Sequence, residues 1–138
     1  MIEANHPNAC NLCHTDRTID WTLRSLKDWY GKSYDESRIV ANYPKRHLPA
    51  ARGWLHSENE SVRLVAADAL TRARDIKTLP DLLGALDDPM ILNRQFAMRE
   101  LRERFGVRTA DFGYHFYMTA PERKKPLEEI RAEYLKGP

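Results

Sequence analysis

The chain has 138 residues, enough for one domain with a real core. Its 42% hydrophobic and 30% charged residues are ordinary for a globular protein, and a formal charge of +2 argues for neither nucleic acid nor an anionic membrane as partner. No apolar run approaches the roughly 18 residues of a membrane span, and there is no Ser-His-Asp arrangement, phosphate-cradling Gly loop or close carboxylate pair in a catalytic setting.

Met1 to Pro7 has neither a basic n-region nor an apolar h-region, so no signal peptide is visible. Residues 1–14 carry Asn, Pro, His and Cys without an apolar period and read as a loop. That loop holds Cys10-Asn11-Leu12-Cys13-His14, which contains both cysteines of the chain. Cys-x-x-Cys-His is the attachment signature of a c-type haem. Two thiols at this spacing can add to the two vinyl groups of one porphyrin, and His14 then stands under the iron as its proximal ligand.

Covalent haem attachment normally takes place outside the cytoplasm. A periplasmic or extracytoplasmic location is therefore expected for this reading, with Met1 either an internal residue of a longer exported parent or the start left after a signal was removed. Three rival readings of the cluster are weaker. Zn2+ needs four ligands, usually in two pairs, and here one pair would have to recruit His6 and the distant His47. A thioredoxin-type pair needs a βαβ setting, of which there is no sign. A disulfide would leave His14 unexplained.

Thr15, Asp16 and Thr18 offer N-cap side chains for the next element. Ile19, Leu23, Leu26 and Tyr30 then recur at helical spacing, with Trp21 and Trp29 beside the stripe and Gly31 as the stop. Trp21, Trp29 and Tyr30 are candidates to wall a haem face, and their plainer role is core packing. Residues 32–46 break the period and read as a connector with one short helical turn.

From Leu48 the chain repeats itself. Leu48-Pro49-Ala50-Ala51-Arg52-Gly53-Trp54-Leu55 lies over Leu79-Pro80-Asp81-Leu82-Leu83-Gly84-Ala85-Leu86 at an offset of 31 residues (48 to 79), which also pairs Arg63 with Arg94 and Leu70 with Leu101. Periods in this range mark helical arrays. Each copy reads as a short helix and a longer one: 48–56 with 57–74, whose stripe is Val62, Val65, Ala66, Ala69, Leu70 and Ala73, then Leu79, Leu82, Leu83 and Leu86 before a second long helix. Asp88 is expected to cap that helix, with Pro89 at its first position and Leu92, Phe96, Ala97, Leu101 and Phe105 as its buried stripe. The equivalent arginines Arg63 and Arg94 suggest structural hydrogen bonds to adjacent turns rather than anion binding.

In the tail, Phe112, Tyr114, Phe116 and Tyr117 surround His115. Thr119-Ala120-Pro121-Glu122 matches a capping box, and Leu127, Ile130, Tyr134 and Leu135 give a last amphipathic helix that would close the array. No segment alternates with period two, so the chain is expected to be all-α. The distal iron ligand is not fixed by these residues. His115 and His6 are weak candidates, and His56 reads as a solvated or capping side chain.

The Val62-Arg63, Ala66, Ala69-Leu70 pattern, with Leu79-Pro80-Asp81-Leu82-Leu83, Leu86 and Asp88-Pro89, resembles short HEAT-like repeats of the phycobilisome-lyase type. This likeness covers about residues 47–106 and implies an α-α superhelix with a scaffolding role. Asn5-His6-Pro7-Asn8-Ala9-Cys10-Asn11-Leu12-Cys13-His14-Thr15-Asp16, then Trp21 and Trp29-Tyr30-Gly31, resembles the last haem segment of exported bacterial multihaem c-type cytochromes. Asp111-Phe112-Gly113-Tyr114 and Phe116-Tyr117-Met118 fit the tail of that group. The resemblance implies that Cys10 and Cys13 are the thioether cysteines, that His14 is the proximal ligand, and that other haem segments or redox proteins are the partners. Members of the group carry several such motifs, whereas this chain carries one.

Three segments are expected: 1–46 for haem attachment and the first helix, 47–109 for the HEAT-like repeats, and 110–138 for the aromatic run and capping helix. The expected function is covalent haem c binding in electron transfer, as a carrier or scaffold rather than a catalyst. The alternative is a helical-repeat interaction module whose Cys-x-x-Cys-His is empty or holds zinc.

Overall fold

In a computed structural model that describes residues 1–136, the chain is all-helical, with eight α-helices, four 3-10 turns and no strand among those residues. Its contacts separate into two compact units, Met1–Ala73 and a second from Arg74 onward, a boundary inside the 47–109 segment. The last two residues of the expected 110–138 segment lie outside the described residues.

The first unit holds α1 (Ala9–Cys13), α2 (Ile19–Tyr30), α3 (Glu36–Asn42), α4 (Ala50–Trp54) and α5 (Glu60–Ala73). α1 packs against α2, α4 and α5, while α3 packs on a 3-10 turn at Ile2–Ala4. Ile19, Ile39, Ala51, Trp54, Ala66 and Leu70 are fully buried or nearly so and make the core. Truncating Trp54, which has no exposed surface, to Ala would cost roughly 3–5 kcal/mol. Its Nε1 donates to Asn5 Oδ1 at 2.8 Å, and the buried Tyr43 hydroxyl donates to the Ile2 carbonyl at 2.9 Å. These two bonds tie the first residues onto the core.

Local signals account for most boundaries. Thr18 accepts the Trp21 N–H at 3.3 Å to open α2, which closes at Gly31 in the left-handed region, φ +62°. Two expectations need correction. The stretch 1–14 is not a loop, because Asn8 caps a helical turn over 9–13. The connector 32–46 contains a seven-residue helix capped by Asp35, whose Oδ1 accepts the Ser37 and Arg38 N–H groups. α4 and α5 fall within the expected 48–56 and 57–74 but are shorter. Pro49 precedes α4, and Asn59, just before α5, accepts the Ser61 and Val62 N–H groups of its first turn. Val65 and Ala73 of the expected stripe are exposed, whereas Val62, Ala66, Ala69 and Leu70 are buried.

The second unit holds α6 (Leu79–Gly84), α7 (Ile91–Phe105) and α8 (Ala120–Tyr134). Leu79, Leu82, Leu83 and Leu86 are all buried, joined in the core by Ala97, Leu101, Val107, Tyr114, Leu127 and Ile130. The Tyr114 hydroxyl donates to the Leu86 carbonyl at 2.6 Å. Thr119 and Glu122 form the capping box of α8, with the Thr119 N–H and hydroxyl each 2.7 Å from Glu122 Oε2. Leu135, expected on the buried face, is exposed.

α7 departs from expectation in start and in facing. It begins after Met90, so Pro89 lies outside it, and Asp88 accepts the Met90 N–H at 2.8 Å in the preceding turn. Its buried face is Asn93, Arg94, Ala97 and Leu101, while Leu92 and Phe96 are 49% and 39% exposed. Arg94 is the reason. Its Nε donates to the Phe116 carbonyl at 2.7 Å, and its Nη1 to the Asp88 and Pro89 carbonyls at 2.6 and 3.0 Å. Turning that guanidinium inward rotates Leu92 and Phe96 outward. Arg63 makes the corresponding bonds, from Nη1 to the Ser57 and Glu58 carbonyls at 2.7 and 3.0 Å. The partners are 31 residues apart in each case (57 to 88, 58 to 89).

Candidate cofactor site

The Cys-x-x-Cys-His residues form one helical turn. Asn8 precedes it in extended conformation and accepts the Asn11 N–H on Oδ1 at 3.0 Å, the standard N-cap bond. At the other end the His14 N–H donates to the Cys10 carbonyl at 2.7 Å. Cys10, Cys13 and His14 therefore stand at i, i+3 and i+4, which in a helical turn share one face at about 5–6 Å between Cβ atoms. Both cysteines are free thiols, Cys10 half-buried and Cys13 exposed, and His14 is exposed.

The opposite side of the turn is anchored by a polar hub that the sequence reading missed. Asn11 has no exposed surface. Its Oδ1 accepts from Asn8 Nδ2 at 3.0 Å and from the Thr22 hydroxyl at 2.6 Å, and its Nδ2 donates to the Arg17 carbonyl at 3.0 Å. One side chain thus joins α1, the 14–18 connection and α2, with every hydrogen-bonding atom of its amide used. A sequence signal existed, since Asn8 followed three residues later by Asn11 is an N-cap pattern, but it did not reveal the burial.

Of the three candidate wall aromatics, one stands beside the motif. The Trp21 ring centroid is 5.0 Å from that of His14 at a 54° tilt, and the Arg17 guanidinium lies over Trp21 at 5.7 Å. Trp29 and Tyr30 are 64% and 69% exposed and pair edge-to-face with each other at 6.4 Å. They lie eight and nine residues further along α2, about 12–14 Å along its axis from Trp21. Their expected core-packing role is overturned, because the C-terminal end of α2 projects them into solvent.

The other histidines are accounted for as follows. His6, His47 and His56 are exposed residues of the first unit. His115, in the second, is exposed and stacked on Tyr117 at 5.2 Å with rings 9° apart. The expected shielded histidine inside an aromatic cluster is thus corrected: Tyr114 is the buried member, and His115 faces outward. No group of three or more His, Cys, Asp or Glu side chains positioned to hold a metal ion occurs among the described residues. No helix among them is long and apolar enough to cross a membrane.

No protein-family model, curated protein or solved structure matches the chain.

Proposed function

We propose that this chain binds haem c covalently through Cys10 and Cys13, with His14 as proximal iron ligand, and serves electron transfer as the C-terminal part of a larger exported multihaem cytochrome. The observation that carries this reading is one exposed helical turn presenting two unpaired thiols and an imidazole on a single face, anchored from behind by the buried Asn11. The donor set fits the group. Thioether formation consumes two thiols and leaves one imidazole to bind iron, so three converging metal ligands are not required. A zinc site needs four ligands, and among the described residues no three His, Cys, Asp or Glu side chains are positioned together to hold a metal.

When bound, haem c would supply the one-electron exchange. The chain's own part is positional. Asn8 and Asn11 hold the turn, Trp21 lies against His14, and the Arg17 guanidinium lies over the Trp21 ring. The helical pairs α4–α5 and α6–α7, with Arg63 and Arg94 making matching bonds, are read as two HEAT-like repeats. Partners are then other haem segments of the parent chain or redox proteins met outside the cytoplasm.

The test is expression with a cytochrome c maturation system in an exporting host. The expected product has a mass raised by one porphyrin and a Soret band that survives acid–acetone extraction. Cys10→Ala with Cys13→Ala should abolish both, and His14→Ala should alter the axial-ligand spectrum. A bare polypeptide mass from correctly exported material would overturn the reading, and one zinc per colourless chain would replace it with the interaction module.

A further inference from the structure

The second unit contains a cleft of about 580 Å³ between α7 and the 108–116 segment. That volume lies within the roughly 300–1,000 Å³ of small-molecule sites. Its walls change character along its length. Leu92, Phe96 and Phe116 contribute apolar surface, and the first two are exposed apolar residues of α7. Arg99, Arg102 and Arg108 line the cleft as well, with Asp111 as the acidic lining residue.

The arginines are not equivalent. Arg99 pairs with Glu100 at 2.9 Å and lies over the Phe96 ring at 4.8 Å, and Arg108 pairs with Asp111 at 3.1 Å. Arg102 has no side-chain hydrogen bond or ion pair among the described residues. The lining thus has an excess of positive charge, and one guanidinium keeps its full donor fork available. Apolar walls ending in an available guanidinium complement a molecule with an apolar body and a carboxylate end.

We propose that this cleft binds a single amphiphilic carboxylate of fatty-acid type, its chain along Leu92 and Phe96 and its headgroup on Arg102. The site uses residues of the second unit alone, so it stands or falls separately from the haem reading.

Calorimetric titration of the full chain with sodium dodecanoate tests it, with dodecanol and acetate as probes of tail and head alone. The expected result is one saturable site per chain. Arg102→Glu should weaken it roughly tenfold or more, and Leu92→Gln should weaken it too. Arg131→Glu, on the exposed face of α8, should leave it unchanged, and both half-ligands should bind more weakly than dodecanoate. Arg102 is exposed, so its reversal tests recognition rather than folding, and unchanged circular dichroism checks this. Absence of saturable binding tighter than ~1 mM, or equal affinity in wild type and Arg102→Glu, would overturn the proposal. So would equal weakening by Arg131→Glu, which would mark general charge attraction.

Discussion

The Thr22 hydroxyl donates to Asn11 Oδ1 at 2.6 Å, and neither residue has exposed surface. This bond connects the turn carrying the two thiols to the helix carrying Trp21. Removing the Asn11 amide leaves the buried Thr22 hydroxyl and Asn8 Nδ2 without that partner, where each orphaned group costs roughly 1–3 kcal/mol, whereas the Arg17 carbonyl still accepts the Ala50 N–H at 3.0 Å. Asn11→Ala should therefore destabilise the chain by about 2–4 kcal/mol in denaturant unfolding. Thr22→Val removes one donor while Asn8 still serves the same oxygen, so about 1 kcal/mol is expected. A double-mutant cycle should show the pair coupled, and strict additivity would mean the bond contributes little.

Arg94 and Arg63 make the same backbone staple in different surroundings. Arg94 is 6% exposed and also holds the Phe116 carbonyl, whereas Arg63 is half-buried. Charge-assisted bonds in a dry site contribute more than those near water. Arg94→Ala should cost about 3 kcal/mol and Arg63→Ala about 1 kcal/mol, read from chemical denaturation midpoints at equal slope. Equal costs would show that burial does not matter to this staple.

Acid sensitivity is expected from two helix starts. The Thr119 hydroxyl and N–H hold the Glu122 carboxyl below its usual range, and the Ser37 hydroxyl with the Arg38 N–H does so for Asp35. The native state then takes up these protons less readily than the unfolded chain. Stability from both is complete above the ordinary carboxylate pKa and is lost as pH falls through the lowered native value. Melting temperature should fall between about pH 5 and pH 3, and Glu122→Gln combined with Asp35→Asn should flatten that slope by lowering the neutral-pH value towards the acid one. An unaltered acid limb in the double variant would remove these caps as its source.

Burial also separates the tyrosines. Tyr43 and Tyr114 are each pushed up to about 12 by removal from water. Their raised native values mean that their contribution is intact below the ordinary phenol pKa and is lost as pH rises through about 12. A spectroscopic alkaline titration should show a late phase that Tyr114→Phe and Tyr43→Phe each reduce. Loss of the Tyr114 bond to Leu86 should also cost about 1 kcal/mol at neutral pH.

Elements announced by several local signals at once were legible in the sequence. α2 had a cap, a stripe and a terminal glycine, α8 had its capping box, and the leucines of 79–86 were apolar on the face that is buried. The failures lie where apolar type was taken for burial, as at Leu92, Phe96 and Leu135, and where a polar residue's burial carried no signal. Asn11 drew no burial expectation from the sequence, yet it is fully buried and hydrogen-bonded to Asn8, Thr22 and the Arg17 carbonyl. The bonds of Arg63 and Arg94 to adjacent turns were legible from the repeat, but not that the inward turn of Arg94 exposes Leu92 and Phe96, which read as core. In both cases backbone carbonyls that needed donors decided the outcome, and carbonyls leave no trace in an amino-acid sequence. The thiols and His14 were legible as a chemical set, while the helical turn that places them on one face was not.

That turn has a consequence for thiol chemistry. Cys13 is exposed and Cys10 half-buried, so in chain made without haem a limiting amount of iodoacetamide should label Cys13 first. Fragmentation mass spectrometry of the N-terminal peptide distinguishes the two sites. The preference depends on α1 staying folded onto α2, and Asn11 is the side chain that joins them. Asn11→Ala should bring the two rates together, and the yield of covalent haem product should fall with it if attachment draws on a prearranged turn. Equal labelling already in the wild type would mean the turn opens faster than it reacts, and the buried asparagine would then serve stability alone.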